Sequence, residues 1–186
     1  MTTEQIERGA RARTRAAILD AAAALWARDF SAPFGAIAER AEVSRSTLHR
    51  YFADRQALVD ALLVDSLDHL NGADPESASD EDPMDALERH LRAGIEIGDR
   101  VIFLFADPDR FAGNPNWPAD DSSEGLTPLL DRARAEGAIA ADIPNAWAEN
   151  LFYAVLYTAA EVSAGDVPRH MAADLAVRSF RRSMAG

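Results

Sequence analysis

Apolar residues recur at intervals of three and four along almost the whole chain, and no alternating apolar–polar run is bounded by hairpin turns. That pattern predicts an all-α protein. A first helix is expected from about Thr14 to Ala27, with Ile18, Leu19, Ala22, Leu25 and Trp26 as its inward stripe. Phe34, Ile37, Ala38 and Ala41, at i, i+3, i+4 and i+7, mark a short second helix with Pro33 in its first turn. Ala41, Glu42 and Val43 then form a tight connection to Ser44, a good N-cap for a third helix from Arg45 to about Phe52. Asp54 caps a fourth, which carries Leu58, Leu62, Leu63, Leu67 and Leu70 and stops near Asn71 and Gly72. The acidic stretch up to Pro83 reads as a solvated loop. Beyond it the spacing predicts a long helix from Met84 to about Phe105, interrupted by Gly94 and Gly98, and from Asp107 to Gly125 either a long loop or a segment containing one short helix. Further helices are expected from Leu126 to Glu136, Asn145 to Ala164 and Pro168 to Met184.

Charge separates two regions that periodicity does not distinguish. The 186 residues carry a formal net charge of −12, with 19 basic against 31 acidic side chains. Met1 to Arg55 holds nine arginines and seven acids, a balance of +2, whereas Gln56 to Gly186 holds ten arginines and twenty-four acids, a balance of −14. Every one of the 19 basic residues is arginine, whose fork suits phosphate and guanine edges; a bias in the coding DNA produces the same usage. Composition is otherwise that of a soluble globular chain, 48% apolar and 27% charged. The absence of cysteine removes disulfides, thiolate nucleophiles and cysteine-based metal sites. The first thirty residues contain no apolar h-region, so no secretory signal or membrane anchor is expected, and the protein is expected in the cytoplasm. HExxH, a glycine-rich phosphate loop and GxSxG are missing, and His49, His69, His90 and His170 are dispersed. No catalytic residue, metal ligand or cofactor is assigned, and the reading is that of a non-enzyme.

The segment from Phe34 to Phe52 has the anatomy of a helix-turn-helix. Val43, Leu48 and Phe52 can face a core, leaving Arg45, Ser46, Thr47, His49 and Arg50 outside. Arginine near the start of such a helix can reach guanine O6 and N7 in the major groove, and the hydroxyls and imidazole can bond phosphates or bases. Ser44, Arg45, Ser46, Thr47, His49, Arg50 and Tyr51 are therefore candidate DNA contacts, joined by Arg55 at the start of the fourth helix, where helix N-terminal N–H groups favour phosphate.

From Arg13 to Leu63 the sequence resembles the DNA-binding domain of the tetracycline-repressor (TetR) family of transcriptional regulators. The resemblance is carried by the alanine-rich first helix, Ile37-Ala38, Val43-Ser44, Thr47-Leu48, Tyr51-Phe52, and Arg55 with Leu58. It departs from the family at four positions: Glu42 stands for a usual glycine, His49 for tyrosine, Arg55 for lysine and Pro33 for threonine. A left-handed Glu42 would cost about 1 kcal/mol. The resemblance implies a homodimer whose larger helical domain binds a small-molecule effector and thereby releases a near-palindromic operator in double-stranded DNA. The expected organisation is a helix-turn-helix domain over 1–55, a connecting helix over 56–70 and a ligand-binding and dimerisation domain over 71–186.

Pocket candidates are large or polar residues on expected inner faces: His90, Phe103, Phe105, Trp117, Phe152, Tyr153, Tyr157 and Glu161. The loop holding Arg110, Trp117 and Pro118 could serve as a lid. The helix from Asn145 carries two apolar stripes, one with Trp147, Leu151, Ala154, Val155, Thr158 and Val162, the other with Phe152, Leu156 and Ala159. Phe152, Leu156 and Ala159, with Val177, Phe180 and Met184 of the last helix, are the candidate residues of a four-helix interface with a twofold mate. The alternative function is a helical small-molecule-binding or interaction protein of the same shape without sequence-specific DNA binding, favoured by the net charge, Glu42 and Pro33.

Overall fold

The structure, a computed structural model, describes residues 3–72, 81–107, 109–118 and 126–185, with 3–7 as backbone alone. Among these residues the regular structure is helical throughout. The backbone divides into two compact units, Met1–Ser66 and Leu67–Gly186.

The first unit contains α1 (Thr3–Trp26), α2 (Phe34–Arg40), α3 (Arg45–Tyr51) and most of α4 (Arg55–Asn71). The boundary thus falls within α4, whose Leu58, Val59, Leu62 and Leu63 are buried. Helix α1 begins at Thr3 rather than Thr14. Its opening turns lack an apolar stripe, but they are rich in Glu, Gln, Ala and Arg, all strong helix formers. Ile18, Leu19, Ala22 and Trp26 are buried as the periodicity predicts. The Trp26 indole N–H donates to the Ala32 carbonyl at 3.1 Å and so pins the turn that follows. Pro33 is the extended N-cap residue of α2 rather than part of its first turn. At the other end of α2, Val43 N–H reaches the Ala38 carbonyl (2.9 Å) and Glu42 N–H the Glu39 carbonyl (3.1 Å), the two bonds of a Schellman termination. That motif needs a left-handed residue, and Glu42 adopts φ 54°.

The second unit contains the last turn of α4, then α5 (Pro83–Glu96), α6 (Gly98–Phe105), α7 (Thr127–Ala135), α8 (Asn145–Ser163) and α9 (Arg169–Met184). Asp82 caps α5, accepting from the N–H groups of Met84 (2.9 Å) and Asp85 (3.1 Å), with Pro83 at the first helical position. The single helix expected from Met84 to Phe105 is broken at Ile97, which leaves helical geometry at φ −96°, ψ 33°. A Cβ on Gly94 would stand 2.8 Å from Leu156 Cδ1, so this glycine lets α8 approach closely, whereas a Cβ on Gly98 would meet the Ala160 Cβ at an ordinary 3.6 Å. On the surface, Arg92 joins Glu88 (3.1 Å) to Asp174 (2.9 Å), and Arg181 bonds Glu88 (3.1 Å) and Asp85, tying α5 to α9.

Residues 73–80 of the expected acidic loop, and Pro108 and 119–125 of the expected long loop, lie outside the described residues. Among the described residues no helix is long and apolar enough to cross a membrane, and no cluster of His, Asp or Glu is arranged to hold a metal ion.

Candidate nucleic-acid interface and sensing core

Helix α3 is short, and its geometry follows from its cap. The Ser44 hydroxyl accepts from Thr47 N–H at 3.0 Å, satisfying an N-terminal donor, and donates to Thr47 Oγ1 at 2.9 Å. The Ser46 hydroxyl lies 2.9 Å from that of Ser44. Leu48 is completely buried and Phe52 nearly so. Anchoring these two leaves Ser44, Arg45, Ser46, His49 and Arg50 exposed and Thr47 and Tyr51 half-buried. The Arg45 guanidinium lies across Gly35 in the first turn of α2, where a Cβ would stand 2.9 Å from its nearer Nη. His49 leans on the Phe34 ring, with centroids 5.3 Å apart, and its Nδ1 is 3.4 Å from the Ala53 carbonyl.

Arg55 departs from the sequence expectation. Its guanidinium is turned into the α1–α2 turn, donating to Ala32 O at 2.9 Å and to Phe30 O, over the rings of Trp26 (4.5 Å) and Phe30 (4.8 Å). Two carbonyls and two aromatic faces in fixed geometry outcompete solvent for the fork. The N-terminus of α4 is occupied as well: Asp54 accepts from Ala57 N–H at 2.8 Å, placing a carboxylate where a phosphate was expected. Arg55 is therefore a structural residue. Nothing in its neighbours along the chain signals this, because its acceptors lie 23 and 25 residues earlier.

In the second unit the candidate pocket residues are joined by ring contacts. His90 and Phe103 are buried, and Phe152 is wholly inaccessible. His90 packs on Phe152 (5.7 Å), Phe152 on Tyr153 (5.7 Å) and Tyr153 on Phe105 (5.3 Å). Trp117 stands edge-on to Phe105 (6.2 Å) and stacks at 5.2 Å on Phe111, which meets Phe103 at 5.3 Å. Phe111 was not among the sequence candidates, since it stands in a segment without period. Arg110 covers the Phe103 ring at 5.5 Å and donates to the Phe103 carbonyl, and burial lowers its pKa. Burial, with Glu149 nearby, pushes the Tyr153 hydroxyl up to about 12. Tyr157 is raised too, by desolvation and then by Glu161, to which its hydroxyl bonds. Phe105 is thus packed against both Trp117 and Tyr153, and Tyr157 has Glu161 and Arg110 as charged neighbours.

The candidate interface residues other than Ala159, which lines an outer groove, require correction. Phe152, Leu156, Ala159, Val177, Phe180 and Met184 are all buried within the protomer; Phe152 and Phe180, for instance, meet edge to face at 5.5 Å. Phe152, Leu156 and Phe180 lie inside, and the other α8 stripe, with Trp147, lies toward the surface. That outer face forms an apolar groove of about 450 Å³ whose walls include Leu151, Val155, Val162, Ala172 and Leu175. Leu175 is 43% exposed, and Trp147, on the same α8 stripe, 62%.

The sequence pattern described as bacterial regulatory proteins, tetR family, matches residues 18–62, the stretch that builds α2, the turn and α3. The chain is 36% identical over 183 residues to the HTH-type transcriptional repressor LfrR of Mycolicibacterium smegmatis, covering 97% of this chain and 95% of that protein. It belongs to the tetR family. Among solved structures, LfrR in complex with proflavine superposes with a TM-score of 0.75 at 32% identity, covering 95% of this chain and 99% of that one. A second LfrR structure gives 0.72 at 30% identity, covering 96% and 99%. KstR2 of Mycobacterium tuberculosis, a ketosteroid transcriptional regulator, shares the fold alone, with a TM-score of 0.64 at 16% identity over 92% of this chain and 95% of that one. As a tetR-family regulatory protein, the chain has its helix-turn-helix in the first unit and its ring cluster in the second.

Proposed function

We propose that this protein is a homodimeric transcriptional repressor that reads a near-palindromic operator with α3 and releases it when a flat aromatic small molecule binds the second unit. The observation carrying this reading is the exposed face of α3, where a self-capped N-terminus and a buried Leu48 present Arg45, Ser46, Thr47, His49 and Arg50 together. Arg45 supplies base discrimination at guanine, and the hydroxyls and Arg50 bond phosphates or adjacent bases. Dimerisation through the outer face of α8 and α9 buries the apolar groove, and a near-palindromic operator then takes one α3 helix in each of two successive major grooves. The similarity to LfrR supports both the repressor sense and an effector of the proflavine kind.

Release requires only that the effector prefer a conformation unfit for the operator. A hundredfold difference in effector affinity corresponds to about 2.7 kcal/mol of coupling. Helix α4 runs unbroken across the boundary between the units and is the covalent route for that coupling. The test is selection of bound fragments from a random duplex pool at low salt, with and without proflavine. An inverted-repeat consensus that loses enrichment when proflavine is present is expected; no enrichment would leave the helical binding protein without DNA readout.

A further inference from the structure

The pattern shared with the family begins at residue 18, yet α1 begins at Thr3, so several helical turns lie outside it. Those turns carry Arg8, Arg11, Arg13 and Arg15. At 100° per residue, Arg11 and Arg15 fall in the same angular sector as Ile18, Ala22 and Trp26, with Arg8 at its edge, while Arg13 points the opposite way. The buried stripe of α1 therefore continues toward the N-terminus as a stripe of arginines. It faces the end of α3: the Arg11 guanidinium lies 5.9 Å from the Tyr51 ring centroid and that of Arg15 lies 5.7 Å from the Phe52 ring. Arg50, on the reading face itself, lies 5.8 Å from the same Tyr51 ring. Tyr51 thus has one guanidinium from α1 and one from α3 at its face, and Arg11, Arg15 and Arg50 are all exposed.

We propose that Arg11 and Arg15 extend the DNA-contacting surface beyond α3, binding the sugar–phosphate backbone that flanks each half-site, with Tyr51 and Phe52 as the platforms that hold them. The inference rests on the operator-reading proposal and adds contacts from α1, N-terminal to residues 18–62. Two like charges drawn to one ring repel each other, and a phosphate relieves that repulsion. Attraction to the ring keeps each guanidinium near it while leaving N–H groups for a phosphate oxygen, so less side-chain freedom is lost on binding than for an unsupported arginine. The contact adds affinity and register without reading bases.

The test uses the full-length protein and the duplex recovered by random selection, in one version trimmed to the consensus and one extended by about one helical turn, roughly 10 bp, at each end. Arg11→Gln and Arg15→Gln remove charge but keep a stem to pack on the rings. Each is expected to reduce the slope of log K against log salt by about 1 on the extended duplex, and by much less on the trimmed one. Arg11→Lys and Arg15→Lys should restore most of the slope, and Arg13→Gln, on the other side of α1, should leave it at the parent value. Parent slopes for both Gln variants, or an equal loss for Arg13→Gln, would overturn the inference while leaving operator reading intact. Failure of the parent to bind any selected duplex would instead remove the proposal on which it rests.

Discussion

The Trp26 indole and the Arg55 guanidinium share an acceptor: both donate to the Ala32 carbonyl, at 3.1 and 2.9 Å, and the guanidinium lies 4.5 Å from the indole centroid. This ties the start of α4 to the end of α1 through the turn before α2. The residue the sequence offered as a phosphate contact instead braces the helix-turn-helix.

Arg55→Ala should consequently lower stability by about 2 kcal/mol, from two lost hydrogen bonds and the stacked cation. Arg55→Lys should recover little of it, because an ammonium cannot fork to two carbonyls while lying flat on a ring. Urea unfolding of the two variants checks this. A parent-like midpoint for Arg55→Ala with a weakened salt slope on DNA would restore the phosphate role.

Glu42 occupies the left-handed position of a Schellman motif that, at the end of α7, is filled by Gly137 at φ 77° with the equivalent bonds. Glu42→Gly should stabilise the first unit by about 0.5–1 kcal/mol, since the strain relieved exceeds the entropy that glycine adds to the unfolded chain. The readout is a higher thermal midpoint with an unchanged circular dichroism spectrum.

Leu175→Glu and Val162→Glu place charge on the outer face of α8 and α9 and should convert a dimer to a folded monomer in sedimentation velocity, with operator affinity falling in parallel. Val177→Glu, on the inner face, should unfold the protein instead. Monomeric parent protein at micromolar concentration would contradict the proposed interface.

Tyr153 gives a pH dependence of known sign. Its folded-state pKa of about 12 exceeds the unfolded value near 10, so between those values the unfolded chain has lost a proton that the native state keeps. Its contribution to stability is fully present below pH 10 and is lost as pH rises toward 12. Tyr153→Phe should flatten the alkaline decline in stability measured by denaturant titration.

Legibility followed locality. The elements α2, the turn and α3 were readable because cap, period and turn residues are neighbours: Ser44 serves Thr47, and Leu48 follows Ile37 and Ala38 into the core. The exposed face of α8 was not, since α8 has two apolar stripes and periodicity cannot say which one other helices cover. Phe152 and Leu156 filled the interior, leaving Leu151, Val155 and Val162 to line a surface groove. The start of α1 was hidden because arginines facing Tyr51 and Phe52 do not register in a hydrophobic pattern. The break at Ile97 was foreshadowed by Gly94 and Gly98, but the close approach of Leu156 to Gly94 comes from a helix far along the chain.

The most direct test of base reading by α3 is a binding titration of parent and Arg45→Ala against the selected operator and a panel of single base-pair substitutions. The expected result is that the parent loses about 1–3 kcal/mol at one guanine in each half-site, and that Arg45→Ala is blind to the base there while discriminating normally elsewhere. Equal discrimination by both proteins at every position would contradict the assignment of α3 as the reading helix.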